Sequence, residues 1–468
     1  MSAKKRGAEV ARGGVQLKTP KGTVDSFGKE VILREQVTSK ISDIFRRHGG
    51  NPLDTPVFEL KEILTGKYGE DAKLIYDLQD QGGEACALRF DLTVPLARWV
   101  AMNNVTQVKR YHIGNVYRRD QPAIARGRLR AFQQADFDIV GQYDPMIADS
   151  EILRIIVEVF KSLEININIK MNHRRILDGL FVVAGVPEEK VRAISSAVDK
   201  LDKLPWAEVK KEMVGEKGLP EEVADRIGEY VQHSGNIDKM LQYLRADATL
   251  CANESVKEGL ADMELLATYL QAYGITDRVI FDFALARGLD YYTGLIYEII
   301  FQPTAAEAAT IQVGSIGAGG RYDNLVGMYG RRTAPCVGIS FGVDRILSIL
   351  KAQRTSESQL QTEPVEVYVM AFGSKDFGGL LPERMAVTAQ LWDGGIRAEF
   401  MSKVKPKLPN QFKAAVDVPI AVILGEDELK EGKVRVKALG LPDGHPEKEG
   451  VLIQKSELVA EVQKRLAR

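Results

Sequence analysis

Three cysteines in 468 residues, Cys86, Cys251 and Cys336, are odd in number and too far apart for a disulfide framework. The five histidines are scattered too, and no Cys/His spacing matches a structural zinc site. No apolar run approaches the roughly 18 residues that a membrane-spanning helix requires. With a formal net charge of -1 there is no global positive field, so any nucleic-acid contact must rest on local patches. The N-terminal MSAKKRGAEVARGG is basic but has no apolar core, which excludes a secretory signal. Residues 1–18 read as a flexible tail, with a weak organellar address left open. What the chain does have is 45% hydrophobic and 27% charged residues, an ordinary globular balance. Its length suits two to four domains with large cores that need no cross-links.

Apolar residues Val31, Ile32, Val37, Ile41, Ile44 and Phe45 recur at helical spacing over 29–47, and Gly49 and Gly50 then stop the helix. Two prolines make NPLDTPVFEL extended. Strands are expected over 74–78 and 87–90, and a helix over 94–102. A long antiparallel hairpin should run from VKRYHIGNVY into AFQQADFDIV, followed by a helix over 150–163. The stretch of about 174–273 is rich in Glu, Lys and Leu at helical spacing and reads as a helical insertion. Strands return over 279–285, 296–301 and 336–341. Residues 354–364 have linker composition. The main domain is therefore expected over 19–353. Residues 365–468 alternate strand and helix, as in a small α/β domain around a largely parallel sheet.

The stretch VYRRDQPAIARGRLRAFQQADFDIV (116–140) concentrates chemistry. Strand side chains alternate faces. One face reads Leu129, Ala131, Gln133, Ala135, Phe137, Ile139 and packs inward. The other reads Arg128, Arg130, Phe132, Gln134, Asp136, Asp138: cations, an aromatic plane, an amide, then carboxylates. A matching ligand is anionic, then aromatic, then cationic, as a nucleoside triphosphate beside an amino acid would be. Ten residues of strand span roughly 33 Å, too far for one small ligand. The chain must turn back near Arg126 and Gly127, bringing Arg118 to the same pocket.

Three further segments point the same way. ALARGLDYYTGLIYE places Arg287 beside Gly288, then Asp290, Tyr291 and Tyr292. GSIGAGGRYDNLVG reads as a glycine-rich loop that matches neither the dinucleotide fingerprint nor the P-loop. PCVGISFGVDRIL reads as a buried strand, then Gly342 and a helix whose first turn carries Arg345. RFDLTVPLAR puts Asp91 and Thr93 on one face.

Together these residues resemble class II aminoacyl-tRNA synthetases, and within them the eukaryotic-type histidyl-tRNA synthetase family. TPVFEL with Pro56, VYRRDQPAIARGRLRAFQQADFDIVG and PCVGISFGVDRIL are similar to the three general class II motifs. LARGLDYYTG and GAGGRYDNLVG are similar to the two histidine-specific ones. The resemblance runs from about Thr19 to the C-terminus. It implies an α+β catalytic domain on an antiparallel sheet, with a helical insertion and a C-terminal α/β anticodon-binding domain.

The resemblance also implies roles. Arg118 and Arg287 would be catalytic, at the α-phosphate and the substrate carboxylate. Arg128 and Arg345 would flank the triphosphate, and Phe132 would lie under the adenine. Asp91, Thr93, Gln134 and Asp138 would hold histidine, with Tyr291 and Tyr292 bordering its imidazole. Asp138 stands where many members carry Glu, as is usual in the eukaryotic branch. The implied partners are ATP with Mg2+ as a substrate complex, L-histidine and tRNA(His). No permanently bound metal is implied, the chain would be a homodimer, and no membrane is involved. A cytoplasmic location is expected, with a mitochondrial form left open. Lys403, Lys405, Lys407 and Lys413 are the local basic patch for RNA. Two other readings stand beside this one. One is a catalytically silent regulatory paralogue, which the retained arginines disfavour. The other is a class II synthetase for glycine, threonine or proline, which ARGLDYYTG disfavours.

Overall fold

The helix Lys29–Arg47 buries Leu33, Val37, Ile41, Ile44 and Phe45, the stripe that a 3.6-residue repeat places on one side. Phe45 meets Phe137 at 5.2 Å, Tyr111 at 5.7 Å and Phe341 at 6.1 Å between ring centroids. From the helix Ile147–Ser162, Phe160 reaches Phe341 at 5.7 Å. These partners are odd-numbered residues of three strands. The helices therefore cover one face of a sheet and leave the even-numbered side chains to the other.

The structure is a computed structural model. It describes all residues except 1–16, 80–81, 125–126, 203, 287–290, 309–310, 312, 331, 354–364, 375–376, 443, 446–447 and 468. The chain divides into two compact units, 1–26 with 33–355 and 27–32 with 356–468.

In the larger unit the strands are β1 (Asn51–Pro52), β2 (Phe58–Leu60), β3 (Cys86–Leu88), β4 (Val108–Tyr117), β5 (Ala131–Val140), β6 (Ile167–His173), β7 (Ser234–Gly235), β8 (Val279–Asp282), β9 (Leu295–Phe301), β10 (Gly317–Arg321) and β11 (Cys336–Gly342). Nine form one sheet in the order β1-β4-β5-β11-β10-β9-β6-β8-β7, and β2 pairs with β3 separately. Pairings in the large sheet are antiparallel except β1 with β4 and β6 with β8. This is the α+β architecture that the sequence implied. The 174–273 stretch contributes helices such as Arg174–Ala184, Glu221–Val231 and Glu254–Tyr273. It also adds the short edge strand β7.

Three local expectations need correcting. Residues 74–78 are not a strand: a 3-10 turn, Gly69–Leu74, precedes a single bridge from Asp77 to Ala87. β6 lies where no strand was expected, although Ile167, Ile169 and Met171 alternate with Asn168, Lys170 and Asn172 as a strand's two faces do. The glycine-rich segment is not a loop but the central strand β10, paired on both sides. Glycine normally weakens a strand, and it persists where neighbours fill the missing side-chain space. A Cβ on Gly319 would overlap the Gly338 carbonyl and the Tyr297 ring, and one on Gly320 would strike the Leu295 carbonyl and the Tyr292 ring.

The smaller unit carries β12 (Val367–Phe372), β13 (Ala398–Phe400), β14 (Ile420–Gly425), β15 (Lys433–Ala438) and β16 (Val451–Gln454), ordered β13-β12-β14-β15-β16. β12 is parallel to both neighbours, and β15 and β16 extend the sheet antiparallel. The sheet is thus parallel only in its first three strands. Val367, Val369, Ala371, Val422 and Leu424 form its core with Val387 and Leu391 of the helix Leu381–Asp393. Lys403, Lys405, Lys407 and Lys413 are exposed. The buried Arg384 donates to the carbonyls of Met401 and Lys403, which holds the chain leading to them.

Candidate active site

Directly opposed residues in an antiparallel pair project from the same face. β4 sets Arg110 against Asp138, His112 against Asp136, Gly114 against Gln134 and Val116 against Phe132. On the other side of β5, β11 sets Gly338 against Asp138, Ser340 against Asp136 and Gly342 against Gln134. The even-numbered face is therefore ordered in rows of charge, amide and aromatic ring. Gly338 is required here, because any Cβ would run into the Asp138 carboxylate.

Asp138 is 2% exposed and faces Arg110, which is 1% exposed. Arg110 Nη2 lies 2.8 Å from Asp138 Oδ2 and donates to the Leu92 carbonyl at 2.9 Å. The Tyr322 hydroxyl donates to Asp138 Oδ1. Burial pushes the Asp138 carboxyl up, with Arg110 and the tyrosine hydrogen bond pulling it back.

Asp91 precedes the helix Thr93–Asn103 and accepts from the Val94 N–H and the Tyr68 hydroxyl, both at 3.0 Å through Oδ1. Asp91 Oδ2 is buried without a hydrogen-bond partner among the described residues, as is Gln134 Oε1. Burial raises the Asp91 carboxyl, while the Val94 N–H and the Arg118 charge lower it. Arg118 donates to the Phe90 carbonyl at 3.0 Å. Its guanidinium carbon lies 4.3 Å from the centroid of Phe90 and 5.2 Å from that of Phe132. The structure thus brings Asp91, Arg118 and Phe132 together. Tyr291 packs edge-on against Tyr292 at 5.2 Å and Tyr322 at 5.8 Å, and burial holds its hydroxyl well above the usual range. Tyr291 and Tyr292 also line a cleft of about 480 Å³ with Arg174, Arg175 and Asp178.

The remaining cations lie farther along. Arg128 is half exposed and pairs with Asp120, whose carbonyl accepts from Arg130 at 2.9 Å. Gly127 turns with φ +65° against the backbone of Asp344 and Arg345, so the returning chain rests on the helix Val343–Gln353. Asp344 accepts from Arg34 and from the Gln133 N–H, both at 2.8 Å, tying the first helix to β5. Arg345 donates to the Ser315 carbonyl. Arg287 and Arg126 lie outside the described residues. The sequence reading did not single out Arg110, Tyr322 or Tyr68. Arg110 shares the even-numbered face of its strand, a detectable signal. Tyr322 and Tyr68 carried none, because their role depends on chain segments far away in sequence.

A family model described as histidyl-tRNA synthetase matches residues 22–346, and one described as an anticodon binding domain matches 366–465. The mitochondrial histidine--tRNA ligase of Saccharomyces cerevisiae is 52% identical to this chain, over 97% of the chain and 87% of the relative. The cytoplasmic histidine--tRNA ligase of Takifugu rubripes is 50% identical, over 96% of the chain and 88% of the relative. The crystal structure of histidyl-tRNA synthetase from Nostoc sp. PCC 7120 superposes with a TM-score of 0.76 at 30% identity, covering 96% of this chain and 100% of that one.

Proposed function

Because this chain belongs to the histidyl-tRNA synthetase family, we propose that it is an ATP-dependent histidine--tRNA ligase. It joins L-histidine to ATP as histidyl-adenylate with release of pyrophosphate, then transfers histidine to the 3′ end of tRNA(His). One observation in the site supports the amino-acid half. Buried acceptors without donors, Asp91 Oδ2 and Gln134 Oε1, line a face that also holds the partly buried guanidinium of Arg118. An α-ammonium supplies the missing donors, and its carboxylate suits Arg118. The regulatory alternative has no comparable support, since relatives at this identity carry ligase names.

In the first step the histidine carboxylate attacks the α-phosphorus, in line with departing pyrophosphate. Both reactants are anionic. Arg118 offsets the repulsion where charge grows in the transition state, worth about 3 kcal/mol for one well-placed donor. Arg287 is proposed as the second cation there. Phe132 offers adenine the side of its ring away from Arg118. Arg345 and Arg128 flank the phosphates, with Arg128 exchanging Asp120 for the γ-phosphate. Thr93, Tyr291 and Tyr292 close the amino-acid side, and Asp138 with Tyr322 its far end. Magnesium enters with the nucleotide as part of the substrate. In the second step the terminal ribose hydroxyl of tRNA attacks the mixed anhydride, AMP departs, and a phosphate oxygen takes the proton.

Histidine-dependent exchange of labelled pyrophosphate into ATP by the purified protein tests the assignment; exchange indifferent to L-histidine, or driven by another amino acid, would end it. Gly338→Ala is expected to raise the histidine KM about 10²-fold, as displacement of a positioned group by about 1 Å can. The ATP KM should barely move, and an unchanged histidine KM would count against Asp138 at the pocket end. A homodimer is proposed from the family resemblance; a solution mass of twice 51.8 kDa supports it and a mass of 51.8 kDa refutes it. Relatives carry both cytoplasmic and mitochondrial names. A cytoplasmic location is proposed for this chain, and uptake into isolated mitochondria would contradict a cytoplasm-only role.

A further inference from the structure

We infer that Asp344 is a positioning residue for the nucleotide: without touching substrate, its carboxylate fixes Phe132 and Arg345 relative to one another. The inference rests on the proposed reading of those two residues as ATP contacts. The need for such a group follows from the sheet. β11 accompanies β5 from Cys336 opposite Val140 to Gly342 opposite Gln134, and there it turns into the helix Val343–Gln353. β5 runs on beside β4 alone, as far as Ala131 opposite Tyr117. Phe132 lies in that overhang, with one strand neighbour instead of two. Such an edge leaves backbone donors without a ladder partner. The Gln133 N–H is one of them, and Asp344 Oδ2 accepts it at 2.8 Å. The side chain continues the ladder where the strand has left it.

Asp344 is buried, and its other oxygen accepts from Arg34 Nη2 at 2.8 Å. Hydrogen bonds to an ionised acceptor are the strong ones. Arg34 stands on the helix Lys29–Arg47, so one carboxylate joins that helix, β5 and the helix of Arg345. The Asp344 carbonyl accepts from Ser348 Oγ at 2.9 Å. A Cβ on Gly127 would come within 3.0 Å of that carbonyl and 3.1 Å of the Arg345 Cα, so the chain returning to β5 rests on the same turn. Phe132 directly precedes Gln133, and Arg345 directly follows Asp344. A shift of the carboxylate therefore changes the span between ring and guanidinium that a nucleotide must match. The amino-acid side is held by other means. Gln134 keeps ladder partners on both sides, and Asp91 and Asp138 are fixed by Tyr68, Tyr322 and Arg110. Loss of Asp344 is then felt by ATP and not by histidine.

The test is Asp344→Asn in the full chain, read by histidine-dependent pyrophosphate exchange. The amide keeps the shape of the carboxylate but offers one acceptor to two donors. The ATP KM is expected to rise about tenfold and kcat to fall about tenfold, together the 10²-fold that a displacement of about 1 Å can cost. The histidine KM should not change. Arg34→Met, which removes the ion pair from the far side, should raise the ATP KM in the same direction by less. The double variant should be no worse than Asp344→Asn alone, because both changes act through one carboxylate. Additive losses, an unchanged ATP KM, or equal rises in both KM values overturn the inference; a general loosening of the fold would give the last of these. If Asp344→Asn does not fold, Arg34→Met decides alone. A raised ATP KM beside an unchanged histidine KM supports the inference, and an unchanged ATP KM overturns it. Loss of histidine-dependent exchange in the unsubstituted protein would instead sink the substrate assignment.

Discussion

Arg118→Ala is expected to lower kcat/KM for histidine-dependent pyrophosphate exchange about 10³-fold, or about 4 kcal/mol of transition-state stabilisation. The size follows from where the guanidinium sits. It is partly buried, and the water lost around it lowers its affinity for the proton, yet it keeps a full charge because its ordinary value is so high. Phe90 and Phe132 hold it in place, and the Phe90 carbonyl fixes Nε. A charge anchored in place needs little reorganisation when the α-phosphate becomes more negative. Arg118→Lys keeps the charge but loses the fork and the stacking, so it should recover part of the rate. The split between constants is the diagnostic. A variant with a raised KM and an unchanged kcat would mean that Arg118 only binds the ground state.

The second large effect concerns stability. Arg110→Met is expected to destabilise the larger unit by about 3–5 kcal/mol, because it strands a buried carboxylate. Asp138 would keep the Tyr322 hydroxyl and lose its only ion pair among the described residues. It would respond by taking a proton, and the affinity for histidine would fall with it. Methionine roughly fills the space, so the loss should be electrostatic rather than a cavity effect. Urea unfolding followed by the fluorescence of Trp99 and Trp206 measures it, with Trp392 of the smaller unit replaced by Phe. Adding Asp138→Asn should recover part of the loss, since the stranded charge is then gone. A cost below about 1 kcal/mol for Arg110→Met would show that the pair contributes no more than a surface salt bridge.

The face that carries the chemistry was legible in the sequence. Alternation alone put Phe132, Gln134, Asp136 and Asp138 on one side of a strand, and β5 keeps them there. The helices beneath were legible for the same reason: Lys29–Arg47 repeats its apolar residues with the period of the structure it forms. Two segments misled. Residues 74–78 are apolar enough for a strand but make only a single bridge. Gly317–Arg321 reads as a loop because glycine favours loops, yet it sits in the middle of the sheet where the neighbours' side chains and carbonyls leave no room for a Cβ. In both cases the deciding contacts come from other parts of the chain.

From residue order alone came the two periodicities, the motif set and the family to which the chain belongs, all of which depend on neighbours within a few positions. Which charges meet was settled only by the folded molecule. Tyr322 reaches Asp138 across 184 positions, and Arg110 reaches the same carboxylate from the adjacent strand. Strand register selects such partners, and register is set by packing over the whole sheet. That is why a carboxylate visible in the sequence turns out to be held between a tyrosine and an arginine that no local pattern pairs with it.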